Sequence, residues 1–576
     1  MKETQPVTTQ TRAWRTAWFT VSTGLTVVAL IMLLQTALED HLRAAPRDPV
    51  ERPRAQLSGF YDLRALAEAD GGTPGVALID EERCSIGQGT QPGLFAGNLL
   101  LNCDTLGIRN ETTMAVNPLD PSNVVAGSHR YRLLLKGSTF LLHVVSAAYT
   151  TFDGGTTWTN VIPPIGPFQF FGDPALAFDS RGNAYYAFIA DHEGQGGLFT
   201  NVSVVIYRSS DGGLTWEGPV TVAPGSGGVV GPIDFNDKVY LAVDANPASP
   251  FRDRVYVTWT RFLSGPQGQY VESPIFLAFS EDGGRTFSAE REISGASTAL
   301  CPIQFGDEDG KCDEDQFSQP IVGPDGTVYV GFENFQDADS LKTNFRGQML
   351  VVRSRDGGVS WEGPFRIATV FDGFDDYPVN PDGRQTLTGC SLRLHSAGNL
   401  TASPSTGELV LVWDDNRNGN RTSTNNDVFI ARSVDRGETW SAPIVVSGAP
   451  NDQFYPWGSV GPSGEIVVGY MDRQYQPASA QCRYGFTLSV SGDGGSRFSH
   501  QRVDTGLSRA DDSRWFGRNT RFIGDYNNVA VGADGTAWAV WTDMRRDVTF
   551  LGVTRAGQDA VAAKVPLLSI GRKGRK

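Results

Sequence analysis

One octapeptide constrains this chain more than its length or composition. The pattern Ser/Thr-x-Asp-x-Gly-x-Thr/Ser-Trp/Phe recurs in order, beginning at Thr151 (TFDGGTTW), Ser209 (SSDGGLTW), Ser280 (SEDGGRTF), Ser354 (SRDGGVSW) and Ser433 (SVDRGETW). A sixth copy at Ser491 (SGDGGSRF) carries Arg497 in the hydroxyl position. The aspartates are Asp153, Asp211, Asp282, Asp356, Asp435 and Asp493, separated by 58, 71, 74, 79 and 58 residues. Each interval suits four short strands with their loops, and ordered self-similarity of this kind signals a repeat architecture. Asp and Gly favour a tight hairpin turn, the carboxylate can accept from backbone N–H groups of its own turn, and the aromatic can pack between sheets. Each copy follows an alternating run such as Val202–Arg208 and opens another strand.

A second element lies upstream of each octapeptide. It is a hairpin with a Gly/Pro/Asp turn, as in Ile321–Val330 and Val460–Val468. Such hairpins fall near residues 113–127, 175–189, 239–259, 321–332, 400–413, 459–470 and 529–541, which is seven against six octapeptides. The fold expected is all-β: a β-propeller of four-stranded antiparallel blades over residues 108–556, with seven blades favoured and six the alternative. Ring closure removes the exposed sheet edges that a long antiparallel chain would otherwise present. The last unit shows two strands and a third expected at Val548–Thr554, so closure must borrow a strand, from Asn98–Asn102 or from Ala560–Leu567.

The octapeptides resemble the Asp boxes, or BNR repeats, of sialidases and related propellers. The resemblance covers about 450 residues. It is specific for fold and weak for reaction, because function lives in the site and not in the scaffold. It implies glycan binding, with exo-sialidase hydrolysis as the activity and a non-catalytic scaffold for a protein or polysaccharide as the alternative.

The N-terminus carries a different signal. Residues 16–38 hold no charge, follow Lys2, Arg12 and Arg15, and precede Glu39 and Asp40. Their length spans a bilayer, and the charge bias places residues 1–15 in the cytoplasm and the propeller outside. A cleaved signal peptide, leaving a secreted protein, is the alternative. Residues 39–56 read as a linker, 57–107 as an extension able to supply the closing strand, and 557–576 as a strand and basic tail. Six cysteines in an exported chain suggest the pairs Cys84–Cys103, Cys301–Cys312 and Cys390–Cys482, among fifteen pairings. A net charge of −15 argues against a nucleic-acid partner. No GxSxG, HExxH or P-loop motif occurs.

Propeller geometry sorts loops onto two faces. The Asp boxes join strands three and four and share a face with the one-to-two turns. The opposite face carries the two-to-three loops and the blade connections, and there nearly every unit places an acid or an arginine. The resemblance implies an arginine cluster for a substrate carboxylate, a tyrosine nucleophile with a glutamate partner, and an acid. The candidates are Arg109, Arg393 and Arg473, with Arg521 or Arg545 as substitutes, then Tyr526, Glu333 or Glu111, and Asp173. The Phe/Tyr-Arg-Ile-Pro run of sialidases is absent, and Ile108–Glu111 stands roughly in its place. Further candidate binding residues are Asp237, Arg261, Arg417, Asp472, Asp525 and Arg545. No cofactor is required. The one metal expected is Ca²⁺ in the acidic loop through Asp307, Asp309, Asp313 and Asp315. Residues 372–376 (DGFDD) are a weaker case.

Overall fold

A computed structural model describes residues 83–567, with interruptions at 88–92, 104–107, 137–138, 169, 192–201, 226–233, 267–269, 305–309, 338–345, 381–382, 479–481, 511–521 and 551–552. The chain divides into two compact units, Met1–Glu51 and Arg52–Lys576. The first unit, and with it the expected span at 16–38, lies outside the described residues. So do the 39–56 linker, Asp307, Asp309, Arg521 and the basic tail. Among the described residues no helix is long and apolar enough to cross a membrane.

The second unit is a seven-bladed propeller. Six blades are four consecutive antiparallel strands whose inner members begin at Thr113, Phe170, Phe235, Asp315, Asn399 and Gln453. The seventh is assembled from both ends of the chain: Asn528–Val531, Thr536–Asp543, Asp559–Pro566 and Leu99–Leu100 lie side by side. Leu99 pairs with Ala562, and Thr536–Asp543 pairs along its length with Asp559–Pro566. Both candidate closing strands are therefore used, as third and fourth strands. The propeller accordingly extends past 556. The strand expected at 548–554 does not join the blade: Asp547–Phe550 and Val553–Ala556 form a separate hairpin. That hairpin alternates as a strand should, but its register is satisfied by its own partner. One strand beyond the expected set, Arg83–Gly87, adds a fifth member to the first blade by pairing with Thr157–Val161.

All six Asp boxes join third and fourth strands. In the first, Thr151 Oγ1 donates to Asp153 Oδ1 (2.8 Å) and accepts from Gly155 N (2.9 Å), while Thr157 N and Oγ1 donate to the same carboxylate (2.9 and 2.7 Å). In the sixth, Arg497 N still reaches Asp493 Oδ1 (2.9 Å), so the backbone part of the turn survives loss of the hydroxyl. The boxes also fix neighbouring blades. The second glycine takes a left-handed φ (+97° at Gly213), and a Cβ there would stand 2.7 Å from Val125 Cγ2 of the preceding blade. Trp158 of the first box meets Trp538 of the seventh blade edge-on at 6.1 Å, across the closure. Gly213→Ala is expected to lose stability through both strain and clash, on the order of 1–3 kcal/mol from the left-handed backbone alone. Gly464 shares the left-handed φ with nothing within 4 Å, so Gly464→Ala isolates the strain. Equal denaturant midpoints for the two variants would refute the inter-blade contact.

The three disulfides are Cys84–Cys103, Cys301–Cys312 and Cys390–Cys482.

Candidate functional site

The inner strands carry a repeated irregularity that positions the axis. Aligned by strand register, the residues two places ahead of Thr113, Ala175, Tyr240, Gln319, Asn399, Trp457 and Asn528 are Glu111, Asp173, Lys238, Phe317, Ala397, Tyr455 and Tyr526. Five of the seven (Glu111, Asp173, Lys238, Phe317 and Tyr455) have φ between +50° and +59°. Register shifts mark the same point in the second, third, fourth and sixth blades. Such bulges re-aim side chains, and the residues so placed meet one another.

Lys238 is the hub of this axial cluster. Its ammonium lies 2.8 Å from Asp525 Oδ2, 3.6 Å from Glu111 Oε1 and 3.9 Å from Asp173 Oδ1, with all four side chains fully buried. It also sits 5.0 Å from the Phe317 ring centroid and 4.9 Å from that of Tyr526. Arg393 forks Asp525, with Nε 2.8 Å from Oδ1 and Nη2 on Oδ2. His395 Nε2 donates to Asp525 O (2.7 Å), and Tyr455 Oη donates to Arg393 O (2.6 Å). His129 Nε2 accepts from Asp173 N (2.8 Å) while Nδ1 faces Asn110 Oδ1 (3.0 Å), which fixes a neutral ring with its proton on Nδ1.

Burial alone would raise Asp525 and lower Lys238, but the charges of Arg393 and Lys238 hold Asp525 well below the carboxylate range, and the facing acids hold Lys238 well above 10.5. Burial pushes both imidazoles, His129 and His395, down to about 3. Burial also pushes Glu111 up to about 7 and Asp173 up to about 8, against the lowering charge of Lys238. Two cations, Lys238 and Arg393, stand against the three acids Asp525, Glu111 and Asp173.

The linkage signs follow. Asp173 keeps its proton in the fold, so from the ordinary carboxylate range up to about 8 the unfolded chain binds fewer protons and stability falls as pH rises. The Asp boxes act oppositely. The Thr286 and Thr439 hydroxyls draw Asp282 and Asp435 down to about 2, so their contribution is present above the ordinary value and lost as pH falls toward about 2. Asp173→Asn, which can keep its acceptor for Lys238 N (2.9 Å in the parent), is expected to flatten the decline. Unfolding midpoints taken between about pH 5 and about pH 8 check this, and an unchanged slope would count against it.

The candidate residues do not converge as a sialidase site. Among the described candidate arginines, only Arg393 reaches the axis. Arg473 pairs with Asp452 and donates to Thr388 O (3.1 Å), Arg417 forks Asp415, Arg545 forks Asp543, and Arg261 pairs with Glu290. Arg109 is buried beside Arg130, Asn160 and Cys84, lining a small cavity behind the first blade. The expected arginine cluster is thus corrected for the described candidates: equivalent loop positions in successive blades are spread around the ring, and Arg473, Arg417, Arg545 and Arg261 each pair with an acid of their own blade. Tyr526 Oη donates to Pro174 O (3.2 Å), and burial raises its pKa well above 10. Glu333 lies in a separate acidic group with Asp372. Asp237 accepts from Gln316 Nε2 (3.0 Å) and ties the third blade to the fourth, while Asp472 caps the turn at Arg473–Tyr475. Asp313 accepts from Gln336 and Asp315 from Asn334 (2.8 and 2.7 Å), so both serve their own loop.

Lys238, His129, His395, Phe317 and Tyr455 were not singled out from sequence. The signal was a non-glycine left-handed residue at one register position, which side-chain type does not reveal. Among the described residues, the one trio of histidine and acidic ligand atoms within 4.8 Å is Glu111, His129 and Asp173. A metal fits it poorly, because the His129 Nε2 lone pair already accepts from Asp173 N and Lys238 supplies a cation. Beside the cluster, Tyr240, Gln319, His395, Trp457 and Tyr526 line a cavity of about 10 Å³, room for about one water.

Arg393 and His395 arrive on the 370–398 connection between the fourth and fifth blades. It is anchored by buried Tyr377, Leu387, Leu392 and Leu394 and by Cys390–Cys482. The chain's own residues thus occupy the axis.

No protein-family model matches the chain, and no curated protein matches it. Several solved structures are similar. A protein of unknown function from Dyadobacter fermentans is 14% identical, with a TM-score of 0.41 over 71% of this chain and 99% of its own. A Hadza microbial sialidase is 12% identical (TM-score 0.39, 82% and 96%). A Penicillium chrysogenum alpha-L-arabinanase is 13% identical (TM-score 0.39, 71% and 97%). Likeness at this level assigns no residue a role. The fold resemblance rests on the chain's own boxes and blades.

Proposed function

We propose that the protein is an extracytoplasmic, membrane-anchored propeller that binds a glycan without hydrolysing sialosides. The observation that carries this reading is the Arg393–Asp525 fork within the buried axial cluster. A sialoside carboxylate needs free guanidinium groups, and the described candidate arginines of the connection face are held by Asp or Glu or, like Arg109, buried away from the axis. The Asp-box resemblance supports a glycan as partner, and the uncharged segment 16–38 supports the anchor.

The test is a fluorogenic glycoside panel, including a sialoside, run on the full-length protein beside a glycan array. No turnover with saturable array binding is expected. Sialoside turnover that Tyr526→Phe abolishes would overturn the reading, and an array without binders would replace the glycan by a protein partner.

A further inference from the structure

The axial cluster sets a primary amine against carboxyls in a site closed to water. Lys238 Nζ lies 3.9 Å from Asp173 Oδ1 and 3.6 Å from Glu111 Oε1, and one oxygen of each acid lies within 4.8 Å of the other's. Lys238 N donates to Asp173 Oδ2 (2.9 Å), which holds that carboxyl beside the side chain of the same lysine. Asp173 Oδ1 and both Glu111 oxygens are buried without a hydrogen-bond partner. The rings of Phe317 and Tyr526 stand 5.0 and 4.9 Å from Nζ and wall the amine off.

The three acids around the amine differ in what they can do. Asp525 is nearest, at 2.8 Å, but Arg393 forks both its oxygens and keeps it a carboxylate, a poor acceptor for an amine. Asp173 has no such fork. Burial, opposed by Lys238, pushes it up to about 8, so it carries its proton at neutral pH and is the acyl acceptor of the three. Glu111, pushed up to about 7 by burial, exchanges a proton near neutrality and faces both partners. A lysine amine, a protonated carboxyl and a proton acceptor together are the parts of an amide-forming site.

We propose that Lys238 and Asp173 join through a side-chain amide, with Glu111 accepting the proton, so that the second and third blades are tied covalently at the axis. The Lys238 ammonium gives one proton to the Glu111 carboxylate, and the amine nitrogen attacks Asp173 Cγ. The C–N bond forms, the C–O bond to the hydroxyl breaks, and the hydroxyl leaves as water with a second proton from nitrogen. Nothing is oxidised or reduced. One buried positive and one buried negative charge disappear, which favours the product where water is excluded. The cavity lined in part by Phe317, Asp525 and Tyr526 has room for about one water, the size of the leaving group. The facing acids hold the ammonium protonated, so the step is slow, but each chain needs it once. The ion pairs described above are the state before it. The bond would link the strands Phe170–Phe178 and Phe235–Val243 across a separation of 65 residues. This inference does not depend on the proposed function.

The experiment follows the full-length protein at neutral pH by mass spectrometry, after reduction and denaturation of each sample. Intact mass reads the loss of one water per chain. Tryptic digestion reads the position, because trypsin does not cut after a lysine whose nitrogen is an amide. Loss of a single water and one branched peptide carrying Asp173 and Lys238 are expected. Both should be absent from Lys238→Met and from Asp173→Ala. Glu111→Gln should form the branch at least about a hundredfold more slowly, the scale of general acid–base help. A parent protein that keeps its full mass and gives only linear peptides would overturn the proposal whether or not the variants fold. So would a branch ending on Asp525 or Glu111, or a Glu111→Gln variant that condenses at the parent's rate.

Discussion

Lys238→Met is expected to cost about 3–5 kcal/mol of folding stability, the scale for removing one partner of a buried ion cluster. Methionine keeps the apolar stem and tolerates the same left-handed backbone no worse than lysine, so the loss isolates the ammonium. Asp525 would retain Arg393, but Glu111 and Asp173 would lose the ammonium that pairs with both of them. Urea unfolding of the variant measures the loss. Adding Asp173→Asn removes one stranded acid and should recover part of it, since neighbouring sites of one network are coupled. A Lys238→Met protein within about 1 kcal/mol of the parent would show that the cluster is no more than locally satisfied side chains.

Opening the Cys390–Cys482 bridge by the double serine variant is the second large effect. The bridge spans 92 residues, and the chain-entropy view assigns a loop of that length about 4–5 kcal/mol. It links the 370–398 connection to the residue that precedes the third strand of the sixth blade, Arg483–Ser491. Leu387, Leu392 and Leu394 remain buried without it, so the connection should stay docked in native conditions and the loss should appear as a lower denaturant midpoint. Identical midpoints for the oxidised parent and the double variant would refute the expected contribution. The Asp-box comparison at Gly213 and the pH slope of Asp173→Asn probe the ring at its outer and inner edges respectively.

The sequence was informative wherever the determinant was local. An Asp box is a closed hydrogen-bonding unit: hydroxyl, carboxylate and the glycine two places after the aspartate suffice, within eight residues, to specify the turn. The boxes could therefore be counted, placed between third and fourth strands, and used with the hairpins to reach seven blades. Closure was half legible. Asn98–Asn102 and Ala560–Leu567 both looked like strands, but pairing between residues some 460 positions apart leaves no mark in either segment, so their joint use could not be read. Val548–Thr554 illustrates the converse, a segment expected as one strand that falls across two strands paired with each other.

The site was harder for the same reason. Its acids and arginines were visible as residue types at the ends of inner strands, and Glu111, Asp173, Arg393 and Asp525 do meet. What each charge does there depends on which other charge lies within about 4 Å, and that is set by the left-handed bulges and by the route of the 370–398 connection. Lys238 faces three acids that would otherwise offer a ligand site, and Arg393 spends its fork on Asp525. By itself the sequence determined the propeller and its boxes, because turns and strand alternation are short-range, and it suggested the cysteine pairs that the structure forms. Only the tertiary structure decided that the axis is filled by the chain's own ions, because burial and pairing are properties of the closed ring.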